Sequence, residues 1–287
     1  MNRILRLVLL GLFCLCCSGA SWRVWQTPAA GGGGATLSSA VISTNGDTLT
    51  LTFSGNVTTT TGFTCATSGA DPFTVLTPTY ASGSGTTALV FNLQRNCLSS
   101  ASETVTVSGP GAGDYTAFTT HAVTNSSTVA AMDSITGTTN ANTGLGANSG
   151  NNWQGMLFTA ANTRTVRMMV VRMARIGSPV FNFNGYIYTQ SSGHPGTLVG
   201  TGSATYAAGS LGLSEQNALF TGMSASITAS TGYAVVFNAI AASENFTDYI
   251  AWYQVSGASN SWGNSSDGTT WTMQNDFQKC KFILYGN

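Results

Sequence analysis

The chain has 287 residues with ten basic and ten acidic side chains, so only 7% of it is charged, against about 25% in an ordinary soluble domain. Thr, Ser and Gly number 42, 32 and 34 and together exceed a third of the chain. The lack of a basic excess argues against nucleic-acid binding, and the scarcity of acids, bases and metal ligands argues against catalysis that needs several of them to converge. A hydrophobic share of 43% is too high for a disordered chain, which leaves a neutral, β-rich protein.

The first 20 residues have the pattern of a secretory leader. Two arginines precede an apolar stretch from 7 to 17, which is too short for a membrane span of about 20 residues. Small residues follow at 18–20, as a signal peptidase requires, so the sequence predicts a signal peptide at 1–20 and a secreted, extracellular or cell-surface protein. Two alternatives stay open, namely lipidation at Cys17 and retention of the segment as a membrane anchor.

After the leader, residues 21–35 form a Gly-rich tether that ends in a run of four glycines, a composition typical of flexible linkers. Three cysteines lie in the leader, which leaves Cys65, Cys97 and Cys280. Cys65 and Cys97 fall in one predicted β-domain, and a disulfide between them suits an oxidising compartment. Cys280 is expected to be a buried, inert thiol.

Residues 36–127 are predicted to form an immunoglobulin-like β-sandwich. Residues 48–53 alternate polar and apolar side chains, and 89–93 and 104–107 have the same short-strand character, which is typical of half-buried strands. Turn signals such as Asn45-Gly46 separate them. Some seven short strands in roughly 90 residues, without a sustained helical repeat, favour this fold.

Three motifs occur in order within this domain: NGDTLTLTFSGNV, SSASETVTVSGPGAGDY and HAVTNSS. Together they resemble the SwmB-type Ig-like repeats of large bacterial surface proteins. The resemblance implies a stalk that holds a functional domain away from a surface. The two cysteines are an addition to that pattern.

Residues 128–287 are predicted to form a jelly-roll β-sandwich. A Gly-, Thr- and Asn-rich segment at 137–144 is either a loop of this domain or a linker before it. Eight to ten strands in about 150 residues close naturally as a jelly roll. The clearest strand patterns lie at 166–171, 181–188, 233–237, 249–253 and 277–285.

The second domain also contains ordered motifs: WQGMLFTAANTRTVRMMVVRMARIGSP, GYIYTQSSGHPGTLVGTGS, ITASTGYAVVF and KFILYG. This order resembles the secreted choice-of-anchor domains of R type, which are similar in outline to carbohydrate-binding jelly rolls. The resemblance implies export and attachment at a surface. No sorting tail follows the last motif, so anchoring is expected to be N-terminal or through a partner.

The candidate ligand-binding residues are aromatic and polar side chains near the end of the chain: Trp252, Tyr253, Trp262, Asn264 and Asp267. Aromatic planes stack on the apolar faces of sugar rings, while amides and carboxylates bond the hydroxyls. Trp262 is the strongest candidate because its Gly-, Asn- and Ser-rich loop offers no core. A core role for Trp252, and turn formation by Asn264 and Asp267, are the structural alternatives.

The remaining sequence features argue against a catalytic function. Trp153 and Trp271 flank strands and are predicted to be core residues. No pair of acids has the pattern of a glycosidase, so the protein is predicted not to be an enzyme and to need no cofactor. A structural calcium on Asp133 with Asp248 or Asp276 stays an open alternative.

The sequence therefore predicts an exported, non-catalytic surface protein in which an Ig-like spacer presents a jelly-roll head. We expect the head to bind a glycan or another cell-surface component, and not nucleic acid. The alternative is a structural fibre, surface-layer or virion decoration protein that associates with itself or with a particle surface. An anionic glycan is a variant to test, because Arg167, Arg172 and Arg175 share one predicted strand.

Overall fold

The computed structural model shows an all-β protein, which confirms the predicted fold class. Apart from one short 3-10 turn at Ala208–Ser210, the regular elements of the described residues are strands. No helix within them is long and apolar enough to cross a membrane. The structure describes residues 34–69, 76–110, 114–147, 151–201, 205–240, 246–257, 261–274 and 277–287. The predicted signal peptide and nearly all of the tether lie outside these ranges.

The N-terminal part is a sandwich of two sheets. Its strands are β1 (Leu37–Ile42), β2 (Thr48–Val57), β3 (Thr64–Gly69), β4 (Pro78–Ser82), β5 (Thr86–Leu93), β6 (Glu103–Ser108), β7 (His121–Ala122) and β8 (Thr124–Asn125). One sheet has the order β4-β5-β2-β1-β8 and the other β3-β6-β7. In β2, buried Leu49, Leu51 and Phe53 alternate with half-buried threonines, because consecutive strand residues point to opposite faces. The strand predicted at 48–53 is thus confirmed.

The C-terminal part is a second, larger sandwich. Its strands are β9 (Ala130–Ile135), β10 (Ala141–Leu145), β11 (Trp153–Thr159), β12 (Arg164–Ile176), β13 (Asn182–Ser191), β14 (His194–Thr201), β15 (Tyr206–Ala207), β16 (Gln216–Phe220), β17 (Ala225–Ile227), β18 (Gly232–Ile240), β19 (Tyr249–Ser256), β20 (Trp262–Ser265), β21 (Thr272–Met273), β22 (Gln278–Cys280) and β23 (Phe282–Gly286). The predicted strands at 166–171, 181–188, 233–237 and 249–253 are confirmed, and the one at 277–285 is divided between β22 and β23.

Two sheets of this part enclose the main hydrophobic core. The eight-stranded sheet has the order β10-β19-β12-β23-β9, with β16 and β17 paired to β12 and β22 paired to β19. The seven-stranded sheet has the order β14-β13-β18-β11-β20-β21, with β15 paired to β13. Met169 of the first sheet and Met156 and Phe237 of the second belong to one buried cluster. Each sheet therefore turns one face inward and one face outward.

Both sandwiches belong to one compact unit, residues 34–287. A small buried cluster joins them: Leu98, Val129, Met168, Val170 and Tyr285. Beside it, the Asn45 side-chain oxygen accepts hydrogen bonds from Arg167 (3.2 Å) and Asn287 (3.0 Å). The N-terminal sandwich thus packs against the outer face of the eight-stranded sheet.

The predicted disulfide between Cys65 and Cys97 is not formed: no disulfide joins the cysteines in the described part of the chain. Cys65 lies opposite Val107 on β6, whereas the Cys97 thiol donates to Glu103 at the other end of β6 (3.3 Å). The two cysteines therefore contact positions of β6 that are four residues, or about 13 Å, apart. Burial instead raises the pKa of Cys65 to about 11. Cys280 is fully buried, as predicted.

Candidate functional site

The two tryptophans predicted to bind ligand are core residues. Trp252 is 0% exposed, its ring meets Phe237 edge-on at 4.7 Å, and its indole N–H donates to the Lys281 carbonyl (2.8 Å). Trp262 is 8% exposed and belongs to the same core cluster, because β20 pairs with β11 and sets it opposite inward-facing Met156. Neither ring has a face open to a sugar, so this expectation is corrected.

The three other predicted residues have different surroundings. Tyr253 is half-buried on β19, where burial and then the charge of Glu215 raise the pKa of its hydroxyl. Asn264 bonds two other side chains, donating to Asn151 and accepting from Gln274 (2.7 Å). Tyr253 and Asn264 thus lie on strands of different sheets.

Asp267 builds a turn. Its carboxylate accepts the backbone N–H groups of Thr269 and Thr270, at 2.8 Å each, and the Ser265 hydroxyl at 2.9 Å. These hydrogen bonds hold the pKa of Asp267 below its usual range, because they favour the charged form. Asp267 therefore has the turn-forming role that was the structural alternative, and it does not face a ligand site with Trp262.

Half-buried aromatic side chains instead gather on the outer face of the seven-stranded sheet. We define the aromatic face as Trp153, Tyr186, Tyr188 and Trp271 together with Asn184 and Asn238, all of intermediate exposure. Trp153 and Tyr186 have ring centroids 5.9 Å apart and planes within 31° of each other. Tyr188 stands edge-on to Tyr186 at 6.1 Å.

Strand alternation puts these residues on one face. Along β13, Phe183 and Ile187 are fully buried, whereas Asn184, Tyr186 and Tyr188 between and after them are partly exposed. Across the sheet, Trp153 pairs with Asn238, and Asn238 pairs with Asn184. Because paired residues share a face, the two amides form a row with the Trp153 indole.

Two glycines let the tryptophans lie close to the backbone. A Cβ on Gly155 would come within 3.1 Å of the Trp271 ring and 2.9 Å of Pro195, so Trp271 covers this position. Gly268 has φ +75° and lies against the Trp153 indole, which would be 2.7 Å from a Cβ there. The turn built by Asp267 thus packs against the Trp153 indole. The Trp271 indole is fixed by its hydrogen bond to the Gly268 carbonyl (3.2 Å).

One buried polar atom belongs to this face. The Asn184 amide N–H donates to the Tyr186 hydroxyl (3.1 Å), but the Asn184 side-chain oxygen is buried and accepts no hydrogen bond from any residue that the structure describes. An unsatisfied buried acceptor costs about 1–3 kcal/mol.

The described residues contain no group of three or more His, Cys, Asp or Glu that could hold a metal ion. Asp133 accepts the backbone N–H of Ala161 (2.9 Å), and Asp248 accepts that of Ser178 (2.6 Å). Both of these calcium candidates therefore accept hydrogen bonds from backbone N–H groups. The third candidate, Asp276, lies outside the described residues. Comparisons with protein-family models, with curated proteins and with solved structures find no match for this chain.

Sequence reasoning assigned Trp153 and Trp271 to the core and so missed this face. The period-two pattern of β13, in which Phe183 and Ile187 alternate with Asn184 and Tyr186, is a local signal that could have placed the tyrosine outside. The position of Trp271 depends on the long-range pairing of β20 with β11, which has no local signal.

Proposed function

We propose that this chain is an exported, non-catalytic binding protein whose C-terminal sandwich binds glycans through the aromatic face. The N-terminal sandwich, which we assign to the Ig-like type, would space this head from a surface, and the C-terminal one would be a jelly roll. The leader pattern at 1–20 supports export. The observation that carries the proposal is the row of Trp153, Asn238 and Asn184, in which a partly exposed indole and two amides share the outer face of the sheet.

The chemistry of the face suits a neutral, hydroxyl-rich ligand. Partly exposed rings offer apolar planes to the C–H faces of a sugar, and neighbouring amides supply both donors and acceptors. Trp153 and Tyr186 are held by ring contacts, and Trp271 by its hydrogen bond. Because these side chains are already ordered, ligand binding would cost less side-chain entropy.

A glycan array probed with the full chain tests this proposal. We expect binding to at least one neutral glycan, and we expect Trp271→Ala and Asn184→Ala each to weaken it about tenfold, a loss of about 1.4 kcal/mol. Phe246→Ala is the matched control, since Phe246 is 75% exposed and lies outside the aromatic face. Its binding should equal that of the wild type.

Two results would contradict glycan binding. One is the absence of binding to every glycan on the array, and the other is unchanged binding in a Trp153→Ala/Trp271→Ala double variant that remains folded. Ordered oligomers in light scattering, without glycan binding, would favour the structural fibre or particle-surface alternative.

A further inference from the structure

A cavity of about 310 Å³ opens on the outer face of the eight-stranded sheet, away from the aromatic face. Ile135, Val170 and Ile283 supply apolar walls, and Arg172, Glu215 and Lys281 supply charged ones. The volume is at the lower end of the range for small-molecule sites. Nothing in the glycan proposal uses this cavity.

The Glu215 carboxylate organises the charged wall. One oxygen accepts from Arg172 Nε and from Lys281 Nζ, each at 2.9 Å, and the other accepts from the Thr139 hydroxyl at 2.6 Å. Lys281 Nζ also donates to Thr139. The carboxylate is thus occupied on both oxygens, and its position is fixed.

The two cations keep unused hydrogen-bonding capacity. Arg172 donates from Nε to Glu215 and from Nη1 to Asn217 (2.9 Å), and its Nη2 has no partner in the part of the chain that the structure describes. Lys281 is 5% exposed and uses two of its three ammonium protons. Because one carboxylate faces two cations, the wall carries a net single positive charge.

We propose that this cavity binds the carboxylate of a small organic acid. Arg172 and Lys281 would donate charge-assisted hydrogen bonds to the ligand carboxylate, which are stronger than neutral ones. Ile135, Val170 and Ile283 would contact the apolar part of the ligand. Two sources carry this chemistry, an acidic sugar and a simple branched carboxylic acid.

Isothermal titration of the full chain with four probes separates these sources. Glucuronate and 3-methylbutanoate each carry a carboxylate, while glucose and 3-methylbutanamide are their neutral counterparts. We expect at least one acid to bind and its neutral counterpart to bind at least tenfold more weakly. Binding of glucuronate alone identifies a sugar acid, and binding of 3-methylbutanoate identifies an apolar acid.

Variants tie the binding to the cavity. Arg172→Gln should weaken binding of the acid at least tenfold. Glu215→Gln should strengthen that binding, because the change frees donors on Arg172 and Lys281 and raises the positive charge of the cavity. Arg164→Gln is the matched control, since Arg164 begins the same strand about 26 Å away and its loss should leave binding unchanged. Unfolding midpoints show which variants are folded.

The proposal is overturned if neither acid binds, if the neutral counterparts bind as tightly as the acids, or if a folded Arg172→Gln protein binds the acid as the wild type does. The Trp153→Ala/Trp271→Ala variant should keep acid binding intact. Loss of glycan binding in that variant alone, or of acid binding in Arg172→Gln alone, therefore separates the failure of one proposal from the failure of the other.

Discussion

Each sandwich pairs an arginine with a glutamate, but the surroundings of the two pairs are opposite. In the N-terminal sandwich, the side chains of Arg95 and Glu103 are 1% and 0% exposed. In the C-terminal sandwich, those of Arg172 and Glu215 are 40% and 22% exposed, with Lys281 as a second cation. The side chains of the first pair are buried, whereas those of the second pair are partly exposed and line the cavity of about 310 Å³.

The enclosed pair is satisfied within the fold. Arg95 donates both terminal nitrogens to the two Glu103 oxygens, and Glu103 also accepts the Leu98 N–H (2.9 Å) and the Cys97 thiol (3.3 Å). Burial alone would raise the pKa of Glu103, but these hydrogen bonds, with that of Arg95 foremost, lower it. Such a pair leaves Glu103 no site for a ligand and acts as a structural element.

We call Arg172, Glu215 and Lys281 the open cluster. It also pairs an arginine with a glutamate, but some of its hydrogen-bond donors are unused. Burial again opposes ionisation, yet hydrogen bonds from Thr139, Lys281 and Arg172 lower the pKa of Glu215 to about 2. An ion pair is structural when its environment encloses it and uses its donors. It becomes a candidate binding site when a second cation and a cavity remain beside it.

Removing one partner of the enclosed pair, Arg95 and Glu103, should destabilise the protein more than any other change considered below. Glu103→Gln leaves Arg95 as a buried charge without a counter-charge, which costs about 3–5 kcal/mol. We expect the free energy of unfolding in urea to fall by that amount. Asp47→Asn is the control, because Asp47 is exposed and the same acid-to-amide change there should have little effect.

A double replacement sharpens the interpretation. Arg95→Met with Glu103→Leu removes both charges and should recover most of the lost stability, since apolar residues often replace a buried pair without cost. If Glu103→Gln changes the free energy of unfolding by less than about 1 kcal/mol, the pair is not enclosed as described, and the contrast between the sandwiches disappears.

The sequence allowed most of the strands to be predicted and few of the site residues. Period-two alternation is a local property, so the strand at 48–53 and those within β13 and β18 could be found from it. The loop composition around Trp262 is local too, but it was misleading. That residue is buried because β20 pairs with β11, more than 100 residues earlier in the chain.

The charged clusters also depend on distant contacts. Glu215 meets Lys281 across 66 residues and Arg172 across 43, so no motif spacing could predict that they converge. Arg95 and Glu103 are only eight residues apart, yet nothing local showed that a loop would bury both. The side chains of the aromatic face are likewise assembled from β11, β13 and β18 and from the turn after β20.

An effect of intermediate size on the free energy of unfolding should appear at low pH. The usual pKa of Glu215 is 4.5 and its folded value is about 2, so its contribution to stability is present above about pH 4.5 and is lost as the pH falls towards 2. Asp114, Glu103 and Asp267 also have lowered pKa values, so the pH dependence of the wild type alone would not isolate Glu215. The measurement is therefore the difference in unfolding free energy between the wild type and Glu215→Gln at pH 7, 4.5 and 2.5.

We expect that difference to be largest at pH 7 and to shrink as the solution is acidified. Arg172 and Lys281 would lose their shared counter-charge in the variant at every pH, whereas the wild type loses it only in acid. A difference that does not change with pH would show that Glu215 does not ionise differently in the folded state, and the open cluster would not be held by charge.

The smallest change in stability is expected for Arg172→Gln, which tests how exposed the open cluster is to solvent. Arg172→Gln leaves Glu215 paired with Lys281 and removes a side chain that is 40% exposed, so the free energy of unfolding should change by only about 0–1 kcal/mol. That change should largely vanish in 1 M salt, where the screening length is about 3 Å. Arg164→Gln measures the effect of removing one positive charge from the same strand outside the cavity. A salt-independent loss as large as that of Glu103→Gln would place Arg172 in surroundings as closed as those of Arg95, and an arginine so enclosed would have no donor to offer a carboxylate in the cavity.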